Sequence, residues 1–171
     1  MATRKKKRDR ADKVLDFITT YCMVPEGDLV GQPIKLMPFQ EKFIRDVYSN
    51  PYGTHTAILS IGRKNAKTTL IACLLLAHLC GPEAIANSQL VSGARSKEQA
   101  AVVFELACKI INASPILGKV VRIQPSGKRL IGLRKNVLYR ALSAEGKTAM
   151  GLSPVVVILD ELGQVVGPTD D

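Results

Sequence analysis

The stretch Ser60-Ile61-Gly62-Arg63-Lys64-Asn65-Ala66-Lys67-Thr68-Thr69 constrains this chain more than any other. A short apolar run, Thr56 to Leu59, precedes it, and a long apolar helix pattern, Leu70 to Leu79, follows. Strand, polar loop, Lys-Thr and helix, in that order, are the layout of a phosphate-binding loop. The spelling departs from G-x-x-x-x-G-K-[ST] twice, with Ile61 at the first glycine position and Ala66 at the second. An ordinary solvated first turn can also carry Lys-Thr, so the loop needs support from elsewhere in the chain.

That support lies nearly a hundred residues on. Pro154 is followed by Val155-Val156-Val157-Ile158-Leu159-Asp160-Glu161. A continuous apolar, mostly β-branched run suits a strand buried on both faces, as in parallel sheets. Its end in two adjacent carboxylates has the form of a Walker B strand followed by a catalytic glutamate. The two motifs in this order predict an α/β P-loop ATPase, with a mainly parallel sheet and helices on both faces.

Charge and geometry then suggest roles. Backbone N–H groups from Gly62 through Arg63, Lys64, Asn65 and Ala66 to Lys67 would face the phosphates, helped by the positive end of the helix that continues through Thr68 and Thr69. Lys67 adds a point charge at the β and γ phosphates. The Thr68 hydroxyl and Asp160 would hold Mg²⁺. Glu161 leaves the strand in another direction and would orient the attacking water. A carboxylate committed to a metal is a poorer base, so the two acids divide the work.

A chain of 171 residues has room for one good core. Residues 11–171 read as one ATPase domain, and residues 1–10 as a basic, disordered tail. No apolar run reaches the ~20 residues that span a bilayer, and the amino terminus lacks the apolar core of a secretory signal. Cys22, Cys73, Cys80 and Cys108 are scattered without a C-x-x-C pair, which fits structural thiols in a reducing compartment. The formal charge is +9. Arg4 to Arg10 crowd the start, and a second group comprises Lys119, Arg122, Lys128, Arg129, Arg134, Lys135 and Arg140. No aromatic residues interleave with these charges, so nucleic-acid contact would be to phosphates rather than bases.

Further elements follow from periodicity. Ala11 to Cys22 has helical spacing, Pro25 to Gly31 is a turn-rich break, and Pro38 starts a second helix. Gly81-Pro82 ends the helix after the loop. Gln89 to Ser92 reads as a strand, and Ser96-x-x-Gln99 opens the next helix. Val120 to Ile123, Arg129 to Leu133 and Val137 to Leu142 are short β-like segments with turns at Ser126-Gly127 and Lys135-Asn136. Gln40, in Leu36-Met37-Pro38-Phe39-Gln40, carries a donor and an acceptor, the pair needed to read an adenine edge. An ordinary helix start with an exposed glutamine is the plainer alternative.

Three features together, Leu36-Met37-Pro38-Phe39-Gln40, Gly62-Arg63-Lys64-Asn65-Ala66-Lys67-Thr68 and Val157-Ile158-Leu159-Asp160-Glu161, resemble the amino-terminal ATPase domain of the large terminase subunit of tailed double-stranded-DNA bacteriophages. The resemblance runs from about residue 10 to the end. It implies a P-loop NTPase of the additional-strand catalytic-glutamate (ASCE) type that hydrolyses ATP with Mg²⁺ and pumps double-stranded DNA into a procapsid. It also implies a homo-oligomeric ring, commonly a pentamer, docked at the portal protein in the host bacterial cytoplasm and served by a small terminase subunit. By carry-over Gln40 reads adenine, Lys67, Thr68 and Asp160 bind phosphate and Mg²⁺, Glu161 is catalytic, and Arg63 senses the γ-phosphate. A trans-acting arginine finger is expected, with Lys147, Arg140 and Arg134 as candidates. The chain stops just after the Walker B strand, so a truncated sheet with an exposed edge and a separate, missing carboxy-terminal nuclease are expected. A helicase-like nucleic-acid-dependent ATPase and a non-catalytic nucleic-acid-binding module with a degenerate loop are the competing readings.

Overall fold

The computed structural model describes residues 8–62, 64–94, 97–143 and 153–160. Helix α1 (Arg10–Tyr21) begins at Asp9, whose carboxylate accepts the Asp12 N–H at 2.7 Å while the Asp12 carboxylate reaches back to the Asp9 N–H. This reciprocal cap satisfies two N–H groups that the helix itself cannot. Ser49 also donates to Asp9 at 2.7 Å, tying the end of α2 (Pro38–Tyr48) to the start of α1. The Asp12 N–H and then the Ser49 hydroxyl hold the Asp9 carboxyl below the usual range. Arg8 and Arg10 fall within the expected tail, yet Arg8 pairs with Asp16 and Arg10 is the first residue of α1.

Helix α3 (Lys67–Leu79) is apolar nearly all round because it lies between two layers. It packs against α1 on one side and against the sheet and α4 (Lys97–Ala113) on the other. Leu70, Leu75, Leu76 and Leu79 are at most 2% exposed, so cutting any one back to alanine would cost about 2–5 kcal/mol. The sheet comes against the end of α3 at Gly132, where a Cβ would lie 2.2 Å from the Leu79 carbonyl oxygen. Any larger residue there would push the helix off the sheet.

The sheet has five strands in the order β2 (Val121–Gln124), β3 (Arg129–Gly132), β4 (Val137–Ser143), β1 (Gln89–Ala94) and β5 (Val156–Leu159). A one-turn helix, α5 (Leu117–Val120), leads into β2, and a short 3₁₀ turn at Pro125–Gly127 joins β2 to β3. β1 pairs parallel with β4 and β5, whereas β2–β3 and β3–β4 are antiparallel. Ser92 and Tyr139 share a buried 2.6 Å hydrogen bond between β1 and β4, which pins that register.

Three expectations are corrected. The sheet is mixed rather than mainly parallel, because short turns at Gly127 and Asn136 let β2, β3 and β4 fold back as hairpins. Among the described residues the helices lie on one face rather than both. Leu90, Leu130, Val137 and Tyr139 on that face are at most 1% exposed, whereas Val155, Val157 and Leu159 on the other are 48–56% exposed. The run from Thr56 to Ile61 is irregular instead of a strand, with Ile58 83% exposed. Extended backbone becomes a strand only by pairing, and no described ladder reaches this segment. Among the described residues β5 stands at the sheet edge.

All four cysteines are free thiols. Burial pushes the Cys80 thiol up to about 12 and the Cys108 thiol to about 11, so neither is a ready nucleophile.

Candidate active site

The loop after Ile61 turns twice through left-handed backbone, at Lys64 (φ 64°) and at Ala66 (φ 51°). Such a conformation costs a non-glycine residue about 1–2 kcal/mol. The second turn aims the chain into α3, whose N-cap is Ala66, a residue with no side chain able to cap it. No acidic residue occupies the first turn. The first N–H groups of α3 therefore have no partner from a capping side chain, and no acidic residue of the helix itself faces the positive end of its dipole. Asn65 braces the loop, its Nδ2 donating to the Gly62 carbonyl at 3.1 Å.

Thr68 and Asp160 are 92 residues apart in sequence, yet Thr68 Oγ1 donates to Asp160 Oδ2 at 3.0 Å. Lys67 Nζ lies 3.4 Å from Asp160 Oδ1, with the Lys67 side chain 30% exposed and that of Asp160 11%. A pair this close attracts by a few kcal/mol in a half-screened setting, before the cost of desolvation. The fold produces this meeting because β5 runs parallel to β1 and ends at Leu159, which sets the next residue, Asp160, beside the start of α3.

A hydroxyl and a carboxylate are hard oxygen donors, which suits Mg²⁺. That ion usually takes one or two carboxylates and completes its shell with phosphates and water. Among the described residues no cluster of three or more His, Cys, Asp or Glu offers an all-protein metal cage.

The predicted residues separate into three groups. Gly62, Lys64, Asn65, Ala66, Lys67, Thr68 and Thr69 form the loop and first turn, and Asp160 meets Lys67 and Thr68 there. Gln40 is 4% exposed rather than displayed, and its Oε1 accepts the Met37 N–H at 2.9 Å to cap α2. Its amide nitrogen supplies the remaining donors. Arg63, Glu161 and Lys147 lie outside the described residues. Of the other finger candidates, Arg134 is exposed in the β3–β4 turn and Arg140 is part-buried on β4.

A lysine, a hydroxyl and a carboxylate gathered at the start of a helix in an α/β domain could hold a polyanion together with a divalent cation. The family is more specific. Residues 38–168 match the family model "Terminase large subunit, ATPase domain", and the chain belongs to that family. Over 162 residues it is 63% identical to the "Terminase, large subunit" of Enterobacteria phage HK97, covering 95% of this chain and 32% of that protein. The crystal structure of the HK97 bacteriophage large terminase superposes with a TM-score of 0.87 at 60% identity, covering 96% of this chain and 33% of that one. The chain thus spans about a third of the length of these relatives. No described helix is long and apolar enough to cross a membrane.

Proposed function

We propose that this chain is a P-loop ATPase motor domain of the ASCE type, and that the protein it represents hydrolyses ATP to drive double-stranded DNA into a viral procapsid. The observation that carries the reading is the convergence of Lys67 and Thr68 on Asp160. Lys67 and Thr68, neighbours in the loop, meet Asp160 from more than ninety residues on at the start of an uncapped helix, an arrangement suited to phosphate and Mg²⁺. Lys67 would turn from Asp160 to the β and γ phosphates, and Thr68 and Asp160 would hold the cation. The loop N–H groups from Gly62 to Lys67 would receive phosphate oxygens.

Glu161 follows Asp160 and is assigned the orientation of the attacking water. Arg63 is assigned the sensing of the γ-phosphate and Gln40 the adenine edge. For the longer protein we propose a ring, commonly of five copies, at the portal in the host cytoplasm, with a small terminase subunit delivering DNA. Nuclease activity is proposed for that longer protein and for none of the residues here. The family and both relatives are terminases, which leaves the helicase-like alternative without a supporting observation.

Calorimetry with Mg-ATP on this chain and on Lys67→Ala tests the reading. Saturable binding lost in the variant is expected. No binding by the folded wild-type chain would overturn the nucleotide assignment for these residues. Glu161→Gln is expected to keep ATP binding while abolishing turnover, and normal hydrolysis by that variant would remove Glu161 from the mechanism.

A further inference from the structure

We infer that Arg129 and Arg140 form a paired anion site on the sheet face turned away from the helices, and that its ligand is the phosphate backbone of DNA. This rests on the motor reading only for the choice of polyanion. The geometry stands independently.

Arg129 on β3 lies directly opposite Arg140 on β4. One step along the register, the Ala141 N–H donates to the Lys128 carbonyl at 3.2 Å. Hydrogen-bonded and non-hydrogen-bonded pairs alternate along an antiparallel ladder, so Arg129 and Arg140 occupy a non-hydrogen-bonded pair. Their Cα atoms are then ~4.5 Å apart and their side chains are close neighbours. They point away from the face that buries Leu130 and Tyr139. Arg122 on β2 is paired with Ile131, two residues from Arg129, and so shares the face. Three guanidinium groups thus sit on three adjacent strands.

Like charges directly opposite one another destabilise a sheet, and among the described residues no carboxylate pairs with either arginine. From Glu105 to Glu145 the chain has no acidic residue in between, while eight Lys or Arg fall in that interval. Among the described residues Arg122, Arg129 and Arg140 take part in no ion pair, whereas Arg8, Arg10, Lys42, Arg45, Lys67 and Lys109 do. The Arg140 Nε is buried with no hydrogen-bond partner. A buried unpaired donor is costly and rare, and a phosphate docking on this face would offer it an acceptor, as the buried Gln89 Oε1 on β1 does not.

Two planar guanidinium forks carried by directly opposed residues suit the several oxygens of a phosphate. β2, β3 and β4 carry one aromatic residue, Tyr139, which is buried on the opposite face. The surface therefore has no stacking platform for bases, and its contact is with the backbone, independent of sequence.

The test is binding of a fluorescent DNA duplex to the whole chain over a range of salt. Wild type is compared with the double variant Arg129→Gln/Arg140→Gln and with a charge-matched control, Lys13→Gln/Lys35→Gln. Loss of two phosphate contacts lowers the slope of log K against log salt by about 2 in the arginine variant. The control should keep the wild-type slope. Arg129→Lys/Arg140→Lys should keep the slope and bind more weakly, since charge is retained and the fork is lost.

An arginine variant with the wild-type slope overturns the inference. So does displacement by polyglutamate more effective than by unlabelled DNA, which would make the face a dock for an acidic protein. Thermal melting guards against misfolding, because removing two opposed charges should leave Tm unchanged or raised. ATP binding without arginine-dependent DNA binding would sink this inference and keep the motor, whereas the reverse result would sink the motor and keep the DNA surface.

Discussion

The two ends of helix α3 treat charge in opposite ways. At its start, Lys67 and Thr68 share one carboxylate, two loop residues hold left-handed backbone, and the helix has no capping side chain. At its finish the polar groups close on each other. The Tyr48 hydroxyl is 2.9 Å from His78 Nε2, and Arg10 lies 5.3 Å from the centre of the Tyr48 ring. Arg10 also donates through Nε to Glu83 at 2.7 Å, and the Glu83 side chain is 8% exposed. This far-end cluster joins α1, α2, α3 and the loop after α3, and it lines a cavity of about 290 Å³ that reaches Val155 and Val156 before and at the start of β5. Left-handed backbone and an uncapped helix start are concentrated where a ligand is needed, and the satisfied network fixes the scaffold behind it.

The largest effect should come from the strained end. Lys67→Ala removes the only charge that α3 offers to the phosphates, and Mg-ATP affinity should fall at least about a hundredfold, given that charge-assisted contacts in dry sites are worth ~3 kcal/mol or more. Melting temperature should barely change, because Lys67 is part-exposed. Calorimetry alongside a thermal melt checks both halves. A collapse of stability would mean that this end is structural too.

Glu83→Ala should show the converse. Losing the buried partner of Arg10 should cost about 2 kcal/mol, moderated by the 56% exposure of the Arg10 side chain. ATP affinity should stay within a fewfold of wild type. A large loss of affinity with little loss of stability would erase the contrast between the two ends.

The third effect is a pH dependence. Burial holds the His78 pKa below its ordinary 6.5, with Glu83 pulling it up and Arg10 pushing it down. Between the folded and unfolded values the unfolded chain binds more protons, so stability is full above 6.5 and falls as the pH drops toward the lowered folded value. Denaturant titrations of wild type and His78→Gln should diverge across that window, with the variant flatter. Parallel profiles would mean that His78 is not the group responsible.

Smallest is Ala66→Gly. Relief of the left-handed turn is worth ~1–2 kcal/mol, and the extra freedom of glycine in the unfolded chain offsets about 0.4–1 of it. A net gain below about 1 kcal/mol is expected in urea unfolding, with Mg-ATP binding intact. A destabilised variant would show that the Ala66 methyl group packs against something the loop needs.

Much of the site was legible because it is local. Ala66-Lys67-Thr68 at the start of an apolar helix and Asp160 at the end of a β-branched run are readable as strings of residues, and the fold brings them together. Gln40 shows the limit. Its amide type was readable, but its burial and its hydrogen bond to Met37 depend on how α2 packs. The Thr56–Ile61 run shows another, since apolar β-prone residues become a strand only when a neighbour supplies hydrogen bonds.

The sequence by itself determined the helices, the short strands of the β2–β4 region, the loop and the two acids after the last run, because each rests on periodicity, turn chemistry or adjacent residues. Tertiary structure alone decided the mixed strand directions, the placement of the described helices on one face, and the meeting of Lys67 and Thr68 with Asp160. It also decided that Arg129 faces Arg140. Those are relations between residues far apart in the chain, and only the packing of α3 against the sheet and the registers of the strands set the distances on which they depend.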